Sequence, residues 1–454
     1  MTPAAAHPAL DSLAARLGDR IAFPGDARWD AVRTPWNLAV PQQPAAVATP
    51  ADVDELHELV AAARRDGLQV AVQPSGHGAS GTADGAVLVR TAAFDRLEVD
   101  ADARVARIGA GVRMGRVLEA LAGTGLVSMP GSSAVVNATA FTLAGGHGWF
   151  ARSFGFSSSS LRAVELLTAD GRHRWVRDAD DPELLWALRG AGGAFGVVTA
   201  IEVDLHPVPV LTGGRLVFDG DEAAAVFRAV VAAGRTAPRS LALHAGAVRV
   251  PDVPEAPAEL RGRTIVSVES VELGDSDEAR AALDAVRAAG SPMLDTIGPI
   301  DVPALTAIAE EPTDPSPGYG WSTLVDLDED LVDRLVEAWQ SPAAQAVMAT
   351  GFRVLGGALA EPPLHPSIAG AVRESHVVSG HAMGLPELAE PAQAGFAALR
   401  AALGRGASDR AFATFLAPGD GYSAAYAESD VARAARVKVM VDPENRFRGN
   451  RDFT

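Results

Sequence analysis

The sequence predicts a chain of two or three domains that mixes strands and helices, on three observations. Its 454 residues, at roughly 150 per domain, exceed what one hydrophobic core usually covers. Short β-prone runs separated by glycine-rich turns fill the stretch up to about residue 206. From about residue 207 the texture changes to strands alternating with alanine-rich helices, broken by proline-rich turns near Pro251–Pro257 and Pro312–Pro317.

Leu10 to Leu17 reads as an opening helix, followed by a turn at Phe23–Pro24–Gly25–Asp26 and extended chain from Pro41 to Pro50. Asp52 to Arg65 is helical, because Val53, Leu56, Leu59, Val60 and Ala63 recur near 3.6 residues and acidic residues sit early. A strand at Gln69–Val72 runs into Pro74–Ser75–Gly76–His77–Gly78–Ala79–Ser80–Gly81, with a second strand at Gly85–Arg90. Leu97–Val99 and Val105–Ile108 alternate like paired strands, and Arg113–Ala122 is a helix that precedes the turn at Met129–Ser133. Leu161–Ala169 is a strand; Asp181–Leu188 is a helix stopped at Arg189–Gly190; Phe195–Leu205 is a strand again. Beyond residue 207, helices are expected at Asp221–Ala233, Asp275–Ala289 and Tyr422–Met440.

Composition narrows the function. Apolar residues make up 48% and charged residues 21%, and acidic residues outnumber basic ones 57 to 39, for a formal charge of -18. Such a surface repels a phosphate backbone, which disfavours a general nucleic-acid binder. Cysteine is absent, so disulfides, thiolate nucleophiles, cysteine-ligated zinc and iron–sulfur clusters are all excluded. No histidine is accompanied by a compact His/Asp/Glu cluster, so no metal is expected. No N-terminal leader and no apolar run of membrane-spanning length is visible, making a cytoplasmic location the expectation.

Neither a G-x-G-x-x-G between strand and helix nor a Walker A, H-E-x-x-H or G-x-S-x-G motif is present. What remains is three glycine-rich turns, two of which carry a histidine. Taken singly, each could be only a tight turn. Together they suit a chain wrapped around a large planar or phosphorylated ligand, held by backbone N–H groups in place of lysine or arginine. His77 is flanked by small or turn-forming residues, so its imidazole is not packed by its chain neighbours; His147 has a similar setting.

The chain resembles the flavoprotein oxidases of the vanillyl-alcohol-oxidase superfamily (PCMH type), and more closely their berberine-bridge-enzyme-like branch. The resemblance rests on Phe23–Pro24–Gly25–Asp26, Trp36–Asn37, Gln73–Pro74–Ser75–Gly76–His77–Gly78 and Thr142–Leu143–Ala144–Gly145–Gly146–His147–Gly148–Trp149. It continues through Arg152–Gly155, Leu167–Gly171, Leu184–Gly190, Phe195–Thr199 and Asp442–Asn450. It implies an α+β fold with a PCMH-type FAD-binding domain of two α/β subdomains, and a second α+β domain on an antiparallel sheet. The domain limits it implies are 1–206 for the FAD-binding part, 207–406 for the substrate domain and 407–454 for the segment completing the first.

The resemblance also implies FAD contacts at Gln73, Ser75, Gly76, His77, Gly78, Ser80, Gly81, Gly131, Ser132, Asn137, Thr142, Gly145, Gly146, His147, Gly148, Phe195, Gly196, Val198 and Asn450. His77 matches the histidine that commonly forms an 8α-histidyl bond to FAD; the cysteine of a second bond would fall near Ser133, and its absence excludes double attachment. The family's Tyr-x-Asn-Tyr strand is matched by Phe412–Ala413–Thr414–Phe415, so the usual phenolic base is missing. Gln73, Pro74 and Ala194 are further departures. His376, with Glu374 on the same side of an expected strand, is the candidate replacement base, and His381 a second; Tyr422 and Tyr426 are expected to pack on a helix.

The implied function is an FAD-dependent oxidase that takes hydride from a C–H next to O or N of a small or secondary-metabolite substrate, with O2 as acceptor and H2O2 released. The alternatives are an FAD-dependent dehydrogenase, an oxygenase or oxidative cyclase of polyketide-like substrates, and a non-redox binding protein or cyclase that retains the fold. Arginine far outnumbers lysine, Lys438 being the single one, which points to a GC-rich bacterial gene. A monomer or homodimer without nucleic-acid or membrane partners is expected.

Overall fold

The computed structural model describes residues 7–254 and 258–453. The end of the proline-rich turn at Pro251–Pro257 and the first six residues, part of the stretch inspected for a leader, lie outside them.

The first sheet contains β1 (Ile21–Ala22), β2 (Ala46–Ala48), β3 (Val70–Val72) and β4 (Val87–Val89), in the order β1-β2-β4-β3, and the late strand Phe447–Arg448 extends it beyond β3. Helix Val53–Arg65 makes the crossover between the parallel strands β2 and β3. Asp52 caps it by accepting from the Glu55 N–H at 2.9 Å, and Leu56, Leu59, Ala62 and Ala63 bury the apolar stripe against the sheet.

The second sheet is antiparallel, with β5 (Leu97–Asp100), β6 (Val105–Gly109), β7 (Leu161–Leu167), β8 (His173–Arg177) and β9 (Val197–Asp204) in the order β5-β6-β9-β7-β8. Helix Pro182–Ala191 breaks at Arg189 and Gly190, where the sequence predicts its stop.

The third sheet is antiparallel and larger. Its main strands are β10 (Leu211–Asp219), β11 (Leu241–Arg249), β12 (Thr264–Leu273), β13 (Gly318–Val325), β14 (Val347–Val354) and β15 (His376–Met383), in the order β10-β12-β11-β14-β15-β13. Alternation sets its two faces. Leu241, Leu243, Ala245, Ala247, Val266, Val268, Phe352, Val378 and Ala382 pack under helices Ala223–Thr236, Asp277–Arg287, Glu329–Gln340 and Ala389–Leu403. Ala242 and Val271 face the other way and join the core around Trp149, Phe150 and Leu143. The sheet therefore roofs the glycine-rich part of the chain. This is the expected α+β architecture, a part with two five-stranded sheets beside a second part built on an antiparallel sheet.

The C-terminal segment returns to the first sheet: Phe447 and Arg448 pair in parallel with Val70 and Ala71. Asp442 fixes that return. Its buried carboxylate accepts from Lys438 Nζ at 2.5 Å, the Arg446 N–H at 2.8 Å and the Phe447 N–H at 2.9 Å.

One expected element changes. The helix predicted over Tyr422–Met440 runs instead from Glu428 to Val441, and Tyr422–Ala424 is a single 3-10 turn. The Tyr422 N–H donates to the Asp452 carbonyl at 2.8 Å, which ties this stretch to the C-terminal tail and turns it out of helical register. Tyr422 and Tyr426 stack 5.8 Å apart.

Candidate active site

A cavity of about 300 Å³ lies where the first two sheets meet the roof. The β3 loop forms one wall. The Trp36 N–H donates to the Ser75 carbonyl at 2.9 Å and the Asn37 N–H to the Gly76 carbonyl at 3.2 Å, so the loop is zipped to the Trp36 segment. That zipper needs a glycine at 76: its φ is +84°, and an added Cβ would sit 2.6 Å from Pro35 Cβ.

The zipper stacks the Trp36 indole on the His77 imidazole, with centroids 4.3 Å apart and planes 14° apart. Ser75 Oγ lies 2.9 Å from His77 Nδ1, while Nε2 is buried without a hydrogen-bond partner. Burial, helped by Arg113, pulls the His77 pKa down to about 4, so the ring is neutral at pH 7. The cavity wall thus holds a neutral imidazole with Nδ1 engaged and Nε2 buried and unpartnered.

Behind this loop, Gln73 exchanges hydrogen bonds with Gln42 at 2.8 and 3.1 Å and accepts from Arg90 at 2.9 Å. The C-terminal tail closes the wall: Asn450 Nδ2 donates to the Gly78 carbonyl at 2.8 Å, and Ser80 Oγ donates to Asn450 Oδ1 at 2.9 Å. The opposite wall is Gly131, Ser132, Ser133, Val136 and the start of helix Ala138–Leu143. Asn137 caps that helix, accepting from the Ala140 N–H at 2.8 Å and donating to the Ala110 carbonyl at 2.7 Å. Gly192, Gly193, Gly196 and Val198 complete it.

Of the cofactor contacts expected from sequence, Gln73, Ser75, Gly76, His77, Gly78, Gly131, Ser132, Asn137, His147, Gly196, Val198 and Asn450 line this cavity. Ser80, Gly81, Thr142, Gly145, Gly146, Gly148 and Phe195 do not. Ser80 positions Asn450, and Thr142 Oγ1 bonds Ser157 Oγ at 2.9 Å. Gly148 passes so close to the chain that a Cβ would lie 1.8 Å from the Pro130 carbonyl oxygen. Phe195 is core, and Gly145 and Gly146 border a separate small cavity.

The roof departs further from expectation. His376 is buried and lies outside the cavity lining. It has the same strand parity as Val378 and Ala382, so it points to the helix-covered face, edge-on to Phe352 at 5.3 Å. Ser375 Oγ holds its Nδ1 at 2.8 Å, and burial lowers its pKa to about 3. Glu374 pairs with Arg410 at 3.0 Å instead. His376 is therefore turned away from the cavity; His381, of opposite parity, is on the side facing the cavity domain.

Three residues that sequence reasoning missed lie in one row across the roof: Glu269, His244 and Arg353 are cross-strand partners on β12, β11 and β14. His244 stacks on Trp149 at 4.6 Å. Burial pushes the Glu269 carboxyl up to about 7. Arg353 lines the cavity, its guanidinium 4.9 Å over the Phe415 ring, and Nη1 donates to His147 Nδ1 at 3.4 Å. Burial, with Arg353 beside it, holds the His147 pKa well below the usual range. Thr414 Oγ1, buried and unpaired, and Tyr422 also line the cavity. The polar residues of β12, β11 and β14 on alternate positions were the only signal in the sequence.

The turns, the orphaned His77 Nε2 and a cavity walled largely by small residues and backbone fit a large planar, phosphorylated ligand. Among the described residues no group of three His, Asp or Glu could hold a metal, and no helix is long and apolar enough to cross a membrane.

Residues 44–177 match the family model of an FAD binding domain. The chain is 32% identical over 191 residues to (R)-6-hydroxynicotine oxidase of Paenarthrobacter nicotinovorans, an alignment covering 42% of this chain and 42% of that protein. It therefore matches about two-fifths of that relative's length. Wild-type BBE-like 1 of Physcomitrella patens has the same fold, with a TM-score of 0.85 at 19% identity over 98% of this chain and 99% of that one. So does 6-hydroxy-D-nicotine oxidase from Arthrobacter nicotinovorans, at a TM-score of 0.80 and 23% identity over 94% and 96%. With its FAD-binding segment and two-part α+β architecture, the chain is similar to FAD-linked oxidoreductases and has the fold of BBE-like 1 and of 6-hydroxy-D-nicotine oxidase.

Proposed function

We propose that the protein is an oxidase that holds FAD in this cavity through a single covalent bond to His77 and removes hydride from a C–H next to O or N of a small organic substrate. The observation that carries the reading is His77 itself: neutral, clamped by Trp36 and Ser75, with Nε2 orphaned at the cavity wall. When bound, FAD supplies the two-electron acceptor and the site at which O2 is reduced to H2O2.

The chain's own residues supply the rest. Trp36 fixes the imidazole plane. Asn450 and Arg451 hold the Gly78 carbonyl from behind, keeping the loop rigid under load. We assign the role of the missing phenolic base to Glu269, which shares the cavity-facing side of the roof with Arg353 although it does not itself line the cavity. It is the roof carboxyl whose proton affinity lies near neutral pH, where proton acceptance is most effective. The substrate is a small or secondary metabolite, and the setting a bacterial cytoplasm, as a monomer or homodimer.

The test is the absorption spectrum of the purified protein before and after acid precipitation, with intact mass on the same sample. Colour that stays in the pellet with the mass of one FAD, and its loss in His77→Ala, is expected. Colour released to the supernatant refutes the tether, and a protein that cannot bind FAD refutes the function. Product formed without stoichiometric peroxide would favour a dehydrogenase, or an oxygenase or oxidative cyclase.

A further inference from the structure

We propose that Arg353 is the substrate anchor, and that the substrate carries a planar oxyanion, a carboxylate or an acidic phenol; this rests on the reading of the cavity as the oxidation site. A guanidinium partly withdrawn from water into a cavity wall favours an anion or several acceptors, since an unpaired charge there is costly. Arg353 has neither among the described residues. Of its five N–H donors, one reaches His147 Nδ1, at 3.4 Å. Nε and Nη2 have no protein partner and are not sealed from the cavity. No carboxylate oxygen lies within 4.0 Å of its nitrogens.

The other arginine on the lining is differently placed. Arg451 Nη1 donates to the Ala417 carbonyl at 2.9 Å and Nη2 to the Leu416 carbonyl at 2.8 Å, so its fork is closed. Glu269 and Glu311 act on Arg353 only at longer range, favouring its charged form while leaving the fork open. Ser132 Oγ already engages Glu311.

The surroundings describe the ligand. The Phe415 ring lies 4.9 Å from the guanidinium carbon, and His147 stacks on Phe412 at 4.9 Å. The planar guanidinium offers two parallel N–H groups, a match for two coplanar oxygens. A lysine at 353 would keep the charge and lose this match. A neutral polyol such as a sugar would leave the guanidinium charge without a counterpart.

Calorimetric titration of the flavin-loaded protein with benzoate and phenylacetate, each against its neutral amide, tests the assignment; visible flavin absorption is followed in parallel. Carboxylates should bind at least about tenfold more tightly than the amides, the scale of one charge-assisted hydrogen bond. Arg353→Met should abolish that preference with flavin content unchanged, and Arg353→Lys should retain part of it. Equal binding of acid and amide, no binding of either carboxylate, or a preference that survives Arg353→Met overturns the proposal. So does loss of flavin in Arg353→Met, which would make Arg353 a cofactor residue. Should Arg353→Met not fold, an undiminished preference in Arg353→Lys overturns it equally. Wild-type protein without flavin refutes the oxidase reading separately, and the same titration of that protein still reports whether the cavity selects anions.

Discussion

Gly76→Ala is the most direct probe of how the His77 loop is built. Two costs meet at this position. The residue has φ +84°, and placing an L-residue in left-handed backbone costs about 1–2 kcal/mol. The new Cβ would also lie 2.6 Å from Pro35 Cβ and 2.9 Å from Pro35 Cα, and relieving an overpacked contact that includes backbone costs a further ~1–3 kcal/mol. Gly81→Ala is the matched control, because its φ is +81° but nothing lies within 4 Å of its added Cβ. The control should therefore lose about 1–2 kcal/mol and Gly76→Ala about 2–5 kcal/mol. At about 2 °C per kcal/mol for a protein this large, the melting temperatures should differ by several degrees. Relief of the clash must also move the Pro35–Trp36 segment, so Gly76→Ala should lose the stack on His77 and with it flavin retention, while Gly81→Ala keeps both. Differential scanning calorimetry and the ratio of flavin to protein absorbance check this. Equal melts and equal flavin content in the two variants would refute the steric account of the loop.

Trp36→Ala should leave flavin bound but slow or prevent its covalent attachment, read as colour moving from acid pellet to supernatant. Glu269→Gln should lower turnover by about a hundredfold or more if Glu269 is the proton acceptor, measured as peroxide release. The same substitution tests a linkage. The Glu269 pKa is raised in the fold to about 7 from 4.5, so protonated Glu269 contributes stability that is fully present below about pH 4.5 and lost as pH rises through about 7. For this half-buried group the loss should be about 1–2 kcal/mol after solvent screening, and Glu269→Gln should flatten that part of the stability profile in thermal melts between pH 4.5 and 8. Asp442→Asn should destabilise by about 3–5 kcal/mol, because it leaves Lys438 buried beside a neutral amide; limited proteolysis should then cut the tail at residues 446–451, with weaker flavin binding.

Much of the first wall was legible in the chain. Ser75–Gly76–His77–Gly78 follows a short apolar strand and consists of residues with little side chain, so the local sequence alone says that backbone and imidazole are what it offers. The absence of cysteine excludes a second, cysteinyl attachment, with no geometry needed. The helix caps, the break at Arg189–Gly190 and the return of the tail were likewise local or motif-borne.

The roof was not. Alternation along β15 separates His376 from His381, but parity says only that they point apart, not which face meets the cavity. That choice falls to helix Ala389–Leu403, which covers Val378 and Ala382 and takes His376 with them. Tyr422 looked like helix packing until the Asp452 carbonyl turned its backbone away. The row of Glu269, His244 and Arg353 joins residues from three strands whose order in the sheet differs from their order in the chain. By itself the sequence determined what could hold a flavin, because backbone turns and one imidazole are local properties. Only the tertiary structure decided which charged groups face it, because that depends on strand pairing over more than a hundred residues of separation and on which sheet face the helices cover.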